Sequence, residues 1–291
     1  MIQNALYIDH GNPATFLSPT SLFSLALVMG WYVWVPLYYF ILWNPVTRQS
    51  KKFDLDPNNL LNSSENCRVS WGFGYVSSID DYKIVRIIDL PRTLEITVHV
   101  FSLKSNTWRR IDPKLHQHVL GAKIVPENHY SVQTNRGVLC DEKVHWITAN
   151  TSCGDRRLIA FDLAREMFER NCDVGNKFIC VVQGRLSSFT ANMRDDVGIR
   201  QCNTRSGEAG GEYVRISRNV HLQDCMDLID FSRNGKFFVH EAYCAGGIGL
   251  VDISATRITY KQLVRFEENG YIQFTTYVPT LVAVCSASMS Q

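Results

Sequence analysis

Two histidines one residue apart, His116 and His118, follow Asp112 closely. Alternate residues of a strand share a face, so two imidazoles beside a carboxylate make a donor set for a metal ion. A solvated loop accommodates the same residues and is the preferred reading. Asp80-Asp81 offers paired carboxylates for general acid–base work. Adjacent strand residues point to opposite faces, and in a turn both face water, so a turn cap is preferred. His145 offers a general base beside Trp146. The alternation through Val144, His145, Trp146 and Ile147 instead predicts a half-buried structural histidine. Gly72-x-Gly74 lacks the third glycine of a nucleotide cradle and opens no helix. Gly246-Gly247-Ile248-Gly249 lacks a following lysine and leads into a strand. GxSxG, HExxH and P-loop patterns do not occur. No residue is therefore assigned a catalytic, metal-binding or cofactor-binding role, and no cofactor is expected.

The elements that hold these residues are β-structure. Two apolar runs, Trp71–Val76 and Tyr82–Ile88, flank a Ser/Asp turn over 77–81. Their β-branched and aromatic residues suit a pleated surface, and Ser and Asp bond their own backbone in turns. Gly72 and Gly74 mark a close backbone approach or a bulge. Asn44-Pro45 begins another turn, and Lys51–Leu55 leaves it as a strand. Thr97–Leu103 and Trp108–Ile111 form a hairpin around Lys104–Thr107. Gly137–Ile147 reads as two strands around a polar turn, Arg157–Leu163 as a strand, and Phe231–Lys236 as a late hairpin.

The totals agree with one large all-β domain. The 291 residues are 45% hydrophobic and 20% charged, enough for a full core and too apolar for disorder. A net charge of +2, with Lys51-Lys52 and Arg109-Arg110 as isolated pairs, does not imply nucleic acid. The nine cysteines form no CxxC pair, which argues against a zinc ribbon and a disulfide-stapled module. Scattered thiols suit a reducing compartment and act as small apolar residues. There the sequons at Asn62 and Asn150 are idle.

No Asp, Glu, Lys or Arg occurs between Asp9 and Arg48. Leu22–Trp43 is long enough to span a bilayer, and Arg48, Lys51 and Lys52 after it would place the rest in the cytoplasm. The alternative is buried strands. Pro36 separates two aromatic and β-branched runs and fits a strand boundary better than a helix interior. Strands are preferred, most firmly for Leu37–Trp43.

A weak repeat runs through the chain. Leu42-Trp43-Asn44, Val100-Phe101-Ser102, Ala160-Phe161-Asp162 and Leu250-Val251-Asp252 each set two strand residues before a polar turn residue. The polar residues are 58, 60 and 90 positions apart, and the last gap has room for a further, degenerate unit. Hairpin repeats of about this length suggest propeller blades.

Three of these stretches together carry a family resemblance. Leu42–Arg48, then Gly72–Tyr75 with Asp80–Arg86, then Val100–Leu103 through Trp108 resemble the plant F-box-associated domain, type 1. Gly137–Ile147, Arg157–Leu163, Phe231–Lys236 and Thr276–Val282 are similar to later segments of that family, with Pro279 a departure. The resemblance implies a kelch-like β-propeller over 37–284, followed by a tail over 285–291. It implies a non-catalytic domain that selects protein targets for an SCF-type ubiquitin ligase, in the cytoplasm or nucleus. Residues 1–36 do not resemble an F-box. A truncated product, a mis-predicted gene or an F-box-less paralogue is expected, and adaptor and cullin binding is doubtful. The stretch between Gly184 and Val220 lacks the family's tryptophan and carries the Gly/Ser-rich loop Asn203–Glu212, so a degenerate blade or a disordered loop is expected there. Two alternatives remain. One is a propeller held at the membrane by Leu22–Trp43 and facing the cytoplasm. The other is a kelch-type propeller enzyme, which needs a metal or radical site.

Overall fold

The computed structural model describes residues 23–28, 31–35, 39–44, 49–54, 68–90, 95–112, 137–149, 156–173, 178–182, 184–191, 197–201, 213–217, 226–231, 236–241, 247–252 and 259–265. Every element among them is a strand. The chain divides into two compact units, Met1–Asp112 with Gln273–Gln291 and Pro113–Ile272.

The first unit contains two four-stranded antiparallel sheets. One is built from β1 (Phe23–Val28), β2 (Trp31–Val35), β3 (Tyr39–Asn44) and β4 (Gln49–Asp54), in that order. The other is built from β5 (Arg68–Val76), β6 (Asp81–Leu90), β7 (Glu95–Ser102) and β8 (Thr107–Ile111). Both are meanders of consecutive strands, the local pairing that short turns permit. The β5–β6 ladder runs unbroken from Arg68↔Asp89 to Val76↔Asp81. Gly72 and Gly74 are thus ordinary ladder residues with no bulge beside them. Phe40 stacks on Phe53 at 4.9 Å, and Phe101 meets their edges at 5.0 and 5.4 Å. Trp108 closes the cluster, 5.1 Å from Phe101, and its Nε1–H donates to the carbonyl of Asp54 at 3.3 Å. This cluster joins β3 and β4 to β7 and β8. Burying each large aromatic contributes roughly 1.5–3 kcal/mol.

The membrane alternative for Leu22–Trp43 fails as a helix. That stretch forms β1, β2 and β3, which pair with one another and with β4. Among the described residues no helix is long and apolar enough to cross a membrane. The period of the aromatic and β-branched residues satisfies a sheet, where each strand borrows backbone partners from its neighbour.

The second unit contains three more four-stranded sheets. The first comprises β9 (Val138–Cys140), β10 (Lys143–Ala149), β11 (Arg156–Asp162) and β12 (Met167–Asp173). The next comprises β13 (Phe178–Val182), β14 (Arg185–Ala191), β15 (Val197–Gln201) and β16 (Tyr213–Ser217). The last comprises β17 (Met226–Phe231), β18 (Lys236–Glu241), β19 (Gly247–Asp252) and β20 (Thr259–Arg265). Buried Cys140, Leu158, Ile179 and Leu186 pack the first of these sheets against the second, with Val138, Ile147 and Val181 around them. Gly137 enters β9 under Val144 and Trp146. A Cβ there would overlap Val144 Cγ1 and lie 2.7 Å from the Trp146 ring.

The five sheets explain the repeat. Asn44, Ser102, Asp162 and Asp252 are the last residues of β3, β7, β11 and β19, the third strand of four sheets. The long gap holds the sheet β13–β16, and three of its paired strands, β14, β15 and β16, lie within the stretch expected to be degenerate. Its third strand ends on Gln201. Glutamine lacks the short side chain that closes a ring onto the backbone two residues on, so the polar marker is missing there. The loop Asn203–Glu212 and the closing segment Thr276–Val282 lie outside the described residues.

Candidate functional site

In each meander the first-to-second and third-to-fourth connections fall at the same end of the sheet. At that end of the β5–β8 sheet the turns are 77–80 and 103–106. Asp80 and Asn106 close them with φ of 50 and 54, the left-handed region that Asp and Asn tolerate. Asp80 is exposed, and its Oδ1 accepts from the Tyr75 hydroxyl at 2.6 Å. Asp81, one residue on, is buried at 4% exposure. Its Oδ2 accepts from Ser102 Oγ at 2.5 Å and its Oδ1 from the Lys104 backbone N–H at 2.8 Å. The Leu103 N–H donates to the Tyr82 carbonyl at 2.9 Å, and Lys104 Nζ donates to the Ile79 carbonyl at 3.0 Å. The two carboxylates therefore do separate work. The expectation that both face water holds for Asp80 alone. Asp81 caps the neighbouring turn rather than its own.

The β9–β12 sheet repeats this arrangement. Asp141 and Glu142 form a two-residue turn with φ of 52 and 58, and Glu166 closes the other turn at 55. Asp162 Oδ1 accepts from the N–H groups of Ala164 and Arg165 at 2.9 and 2.8 Å. Ser102 Oγ plays the same part for the Ser105 N–H at 3.2 Å. The Leu163 N–H donates to the Glu142 carbonyl at 3.2 Å, as Leu103 does to Tyr82. Lys143 and Glu169 add an ion pair at 2.5 Å, each about a third exposed. Of the polar residues that mark the sequence repeat, Ser102 and Asp162 are turn caps that accept from backbone N–H groups.

His145 is almost fully buried, at 1% exposure, and not half-buried as expected. A carbonyl only accepts, so the 3.2 Å contact with Val138 O places the proton on Nδ1. Nε2 is buried without a hydrogen-bond partner among the described residues. Burial disfavours the imidazolium and, against weaker opposing contributions from backbone carbonyls, pushes the His145 pKa down to about 4. No nucleophile or carboxylate is within its hydrogen-bonding set, so this is a core histidine. Burial, and after it the Asp141 charge, raise the Cys140 thiol above its ordinary value. Its Sγ donates weakly to the Gly184 carbonyl at 3.7 Å. A protonated, buried thiol is inert as a nucleophile.

His116 and His118 lie outside the described residues, as does Gly246; Asp112 is exposed at the end of β8, and Gly247 begins β19. Among the described residues no three His, Cys, Asp or Glu side chains gather to hold a metal ion. Sequence reasoning did not single out Arg86 or His99, both buried on the β6–β7 ladder as opposite partners. The Arg86 guanidinium lies 5.3 Å from the Trp71 ring across the β5–β6 pair. The signal was a lone arginine within the run Ile84–Ile88.

An all-β chain of four-stranded antiparallel meanders with capped hairpin turns is a β-propeller. The chain belongs to the F-box associated beta propeller domain family, whose model matches residues 37–193, more than half of its length. Over 128 residues it is 26% identical to an F-box/kelch-repeat protein of Arabidopsis thaliana, covering 44% of this chain and 32% of that protein. Over 141 residues it is 32% identical to the F-box protein CPR1 of the same plant, covering 44% and 33%. The matched region thus spans about a third of these relatives' length. Among solved structures, a calcium-binding regucalcin of Agrobacterium tumefaciens is similar at a TM-score of 0.46 and 9% identity, covering 84% of this chain and 75% of its own.

Proposed function

We propose that this domain recognises protein targets for an SCF-type ubiquitin ligase and catalyses no reaction itself. The observation that carries the reading is the family match over 37–193. Its relatives include proteins described as F-box proteins. The hairpin ends support it. Asp81 accepts from Ser102 and the Lys104 N–H, Asp162 from two backbone N–H groups, and Lys143 pairs with Glu169. On the β5–β8 sheet the turn residues 77–80 and 104–106 are exposed and offer a surface for contact. The domain acts in the cytoplasm or nucleus, where ubiquitin transfer takes place.

Proximity labelling with the full chain in plant cells tests this. The expected result is a reproducible protein neighbour whose ubiquitination and half-life change when the chain is removed. A purified chain that holds a metal stoichiometrically and turns over a small molecule would overturn it in favour of an enzyme.

A further inference from the structure

Two of the basic pairs in the sequence, Lys51-Lys52 and Arg109-Arg110, occupy the same place in successive repeats. Asn44 pairs with Gln49 and Ser102 with Thr107 at the start of the outermost strands. Counted from there, Lys51-Lys52 of β4 and Arg109-Arg110 of β8 fall at the third and fourth positions of their strands. An apolar residue and then an aspartate follow each pair, Phe53-Asp54 and Ile111-Asp112. All four cationic residues are exposed, while Phe53 and Ile111 are buried. The Phe40–Phe53–Phe101–Trp108 cluster and the bond from Trp108 to Asp54 hold the two strands in one packed unit.

The lysine ammonium groups sit over aromatic rings. Lys51 Nζ lies 5.1 Å from the Phe53 ring centre and Lys52 Nζ 4.0 Å from that of Tyr39. A cation over an aromatic face is held by the ring quadrupole, and both lysines are still exposed. These two strands carry four exposed cations and two exposed carboxylates, Asp54 and Asp112. Among the described residues β4 and β8 are also last in their sheets, with no described strand beside one edge of each.

We propose that the outer edges of β4 and β8 form a basic rim that docks an extended acidic segment of the target protein. The edge supplies backbone hydrogen bonds and the four cations supply the sign preference. This inference rests on the target-recognition reading above and assigns that target a chemistry and a place. Edge lysines also keep sheets from pairing with one another. The two roles separate in solution, because only docking makes the rim saturable by an acidic peptide.

The test is fluorescence anisotropy of a labelled Glu-rich peptide titrated with the full chain, with a Gln-rich peptide as control. Binding of the acidic peptide alone, weakening with salt, is expected. The variant K51Q/K52Q/R109Q/R110Q loses roughly tenfold or more in affinity, each exposed pair being worth about twofold. A variant that removes exposed cations of the second unit instead, R165Q/R185Q, binds as the parent does. The double variants K51Q/K52Q and R109Q/R110Q each show part of the loss, so aggregation of the quadruple variant does not remove the test. Equal binding by the double variants and the parent overturns the rim, as does a parent that ignores the peptide. Tighter binding of duplex DNA than of the peptide overturns the acidic protein segment as occupant. The same variants are then taken through proximity labelling. A target labelled equally by K51Q/K52Q/R109Q/R110Q overturns the rim and leaves target recognition standing. A parent that labels no target overturns target recognition, while the peptide titration still decides the rim.

Discussion

Asp81 is the residue on which the turn end of the β5–β8 sheet depends. Replacing it with alanine removes the acceptor of both Ser102 Oγ and the Lys104 N–H. A hydrogen bond to a charged group contributes about 1.5–3 kcal/mol, and a partly buried N–H left without a partner adds a cost. The Ser102 hydroxyl can turn elsewhere, which recovers part of the loss. The net expectation is a destabilisation of roughly 3 kcal/mol. Because the carboxylate is 4% exposed, solvent screening takes little from this figure. Urea unfolding followed by tryptophan fluorescence measures it, since Trp71 and Trp108 belong to the same sheet. Asp80→Asn is the control. It keeps the acceptor for Tyr75 and the tolerance for positive φ, so it shifts stability by less than about 0.5 kcal/mol. A double-mutant cycle of Asp81→Ala with Ser102→Ala then isolates the pair, with an expected coupling of about 1–2 kcal/mol. An Asp81→Ala variant within about 0.5 kcal/mol of the parent, or a coupling of zero, would refute the capping role.

Gly137→Ala forces a Cβ into Val144 and Trp146, two fully packed side chains, and lowers the urea midpoint by the equivalent of about 1–3 kcal/mol. An unchanged midpoint would show that the strand entry moves freely. Phe101→Ala removes the ring that touches Phe40, Phe53 and Trp108, at a cost of about 3–5 kcal/mol in the same assay. His145 gives stability a pH dependence of defined sign. Its folded pKa of about 4 lies below the 6.5 of the unfolded chain, so the unfolded chain takes up a proton first on acidification. The contribution is present above pH 6.5 and is lost as pH falls towards 4, up to roughly 3 kcal/mol. His145→Gln, compared with the parent by unfolding at several pH values, should flatten that part of the profile; an identical slope would contradict it.

Much of the fold was legible locally. The hairpin 71–88, the pair around 104–107 and the strands around His145 follow from alternation, β-branched content and turn chemistry, all properties of adjacent residues. The repeat was legible where a short polar side chain closes a turn, as Ser102 and Asp162 do, and invisible where Gln201 ends the strand. Membrane helix and buried strand compete for the same apolar run over Leu22–Trp43, and local composition cannot separate them. Pairing with β3 and β4 does, because the partner that satisfies the backbone lies in another segment.

The sequence by itself determined the all-β class, the family and the capping residues, because those depend on neighbours a few positions apart. Tertiary structure decided what each polar residue does. Asp80 and Asp81 are identical in type and adjacent in sequence, yet one faces water and the other is buried in a different hairpin's turn. His145 became a buried neutral core residue only through tertiary burial. Lys51-Lys52 and Arg109-Arg110, 58 residues apart, came to lie in equivalent positions of one packed unit because each repeat folds its fourth strand to the outside. Burial, partner choice and register across a sheet are long-range properties, and no window of sequence contains them.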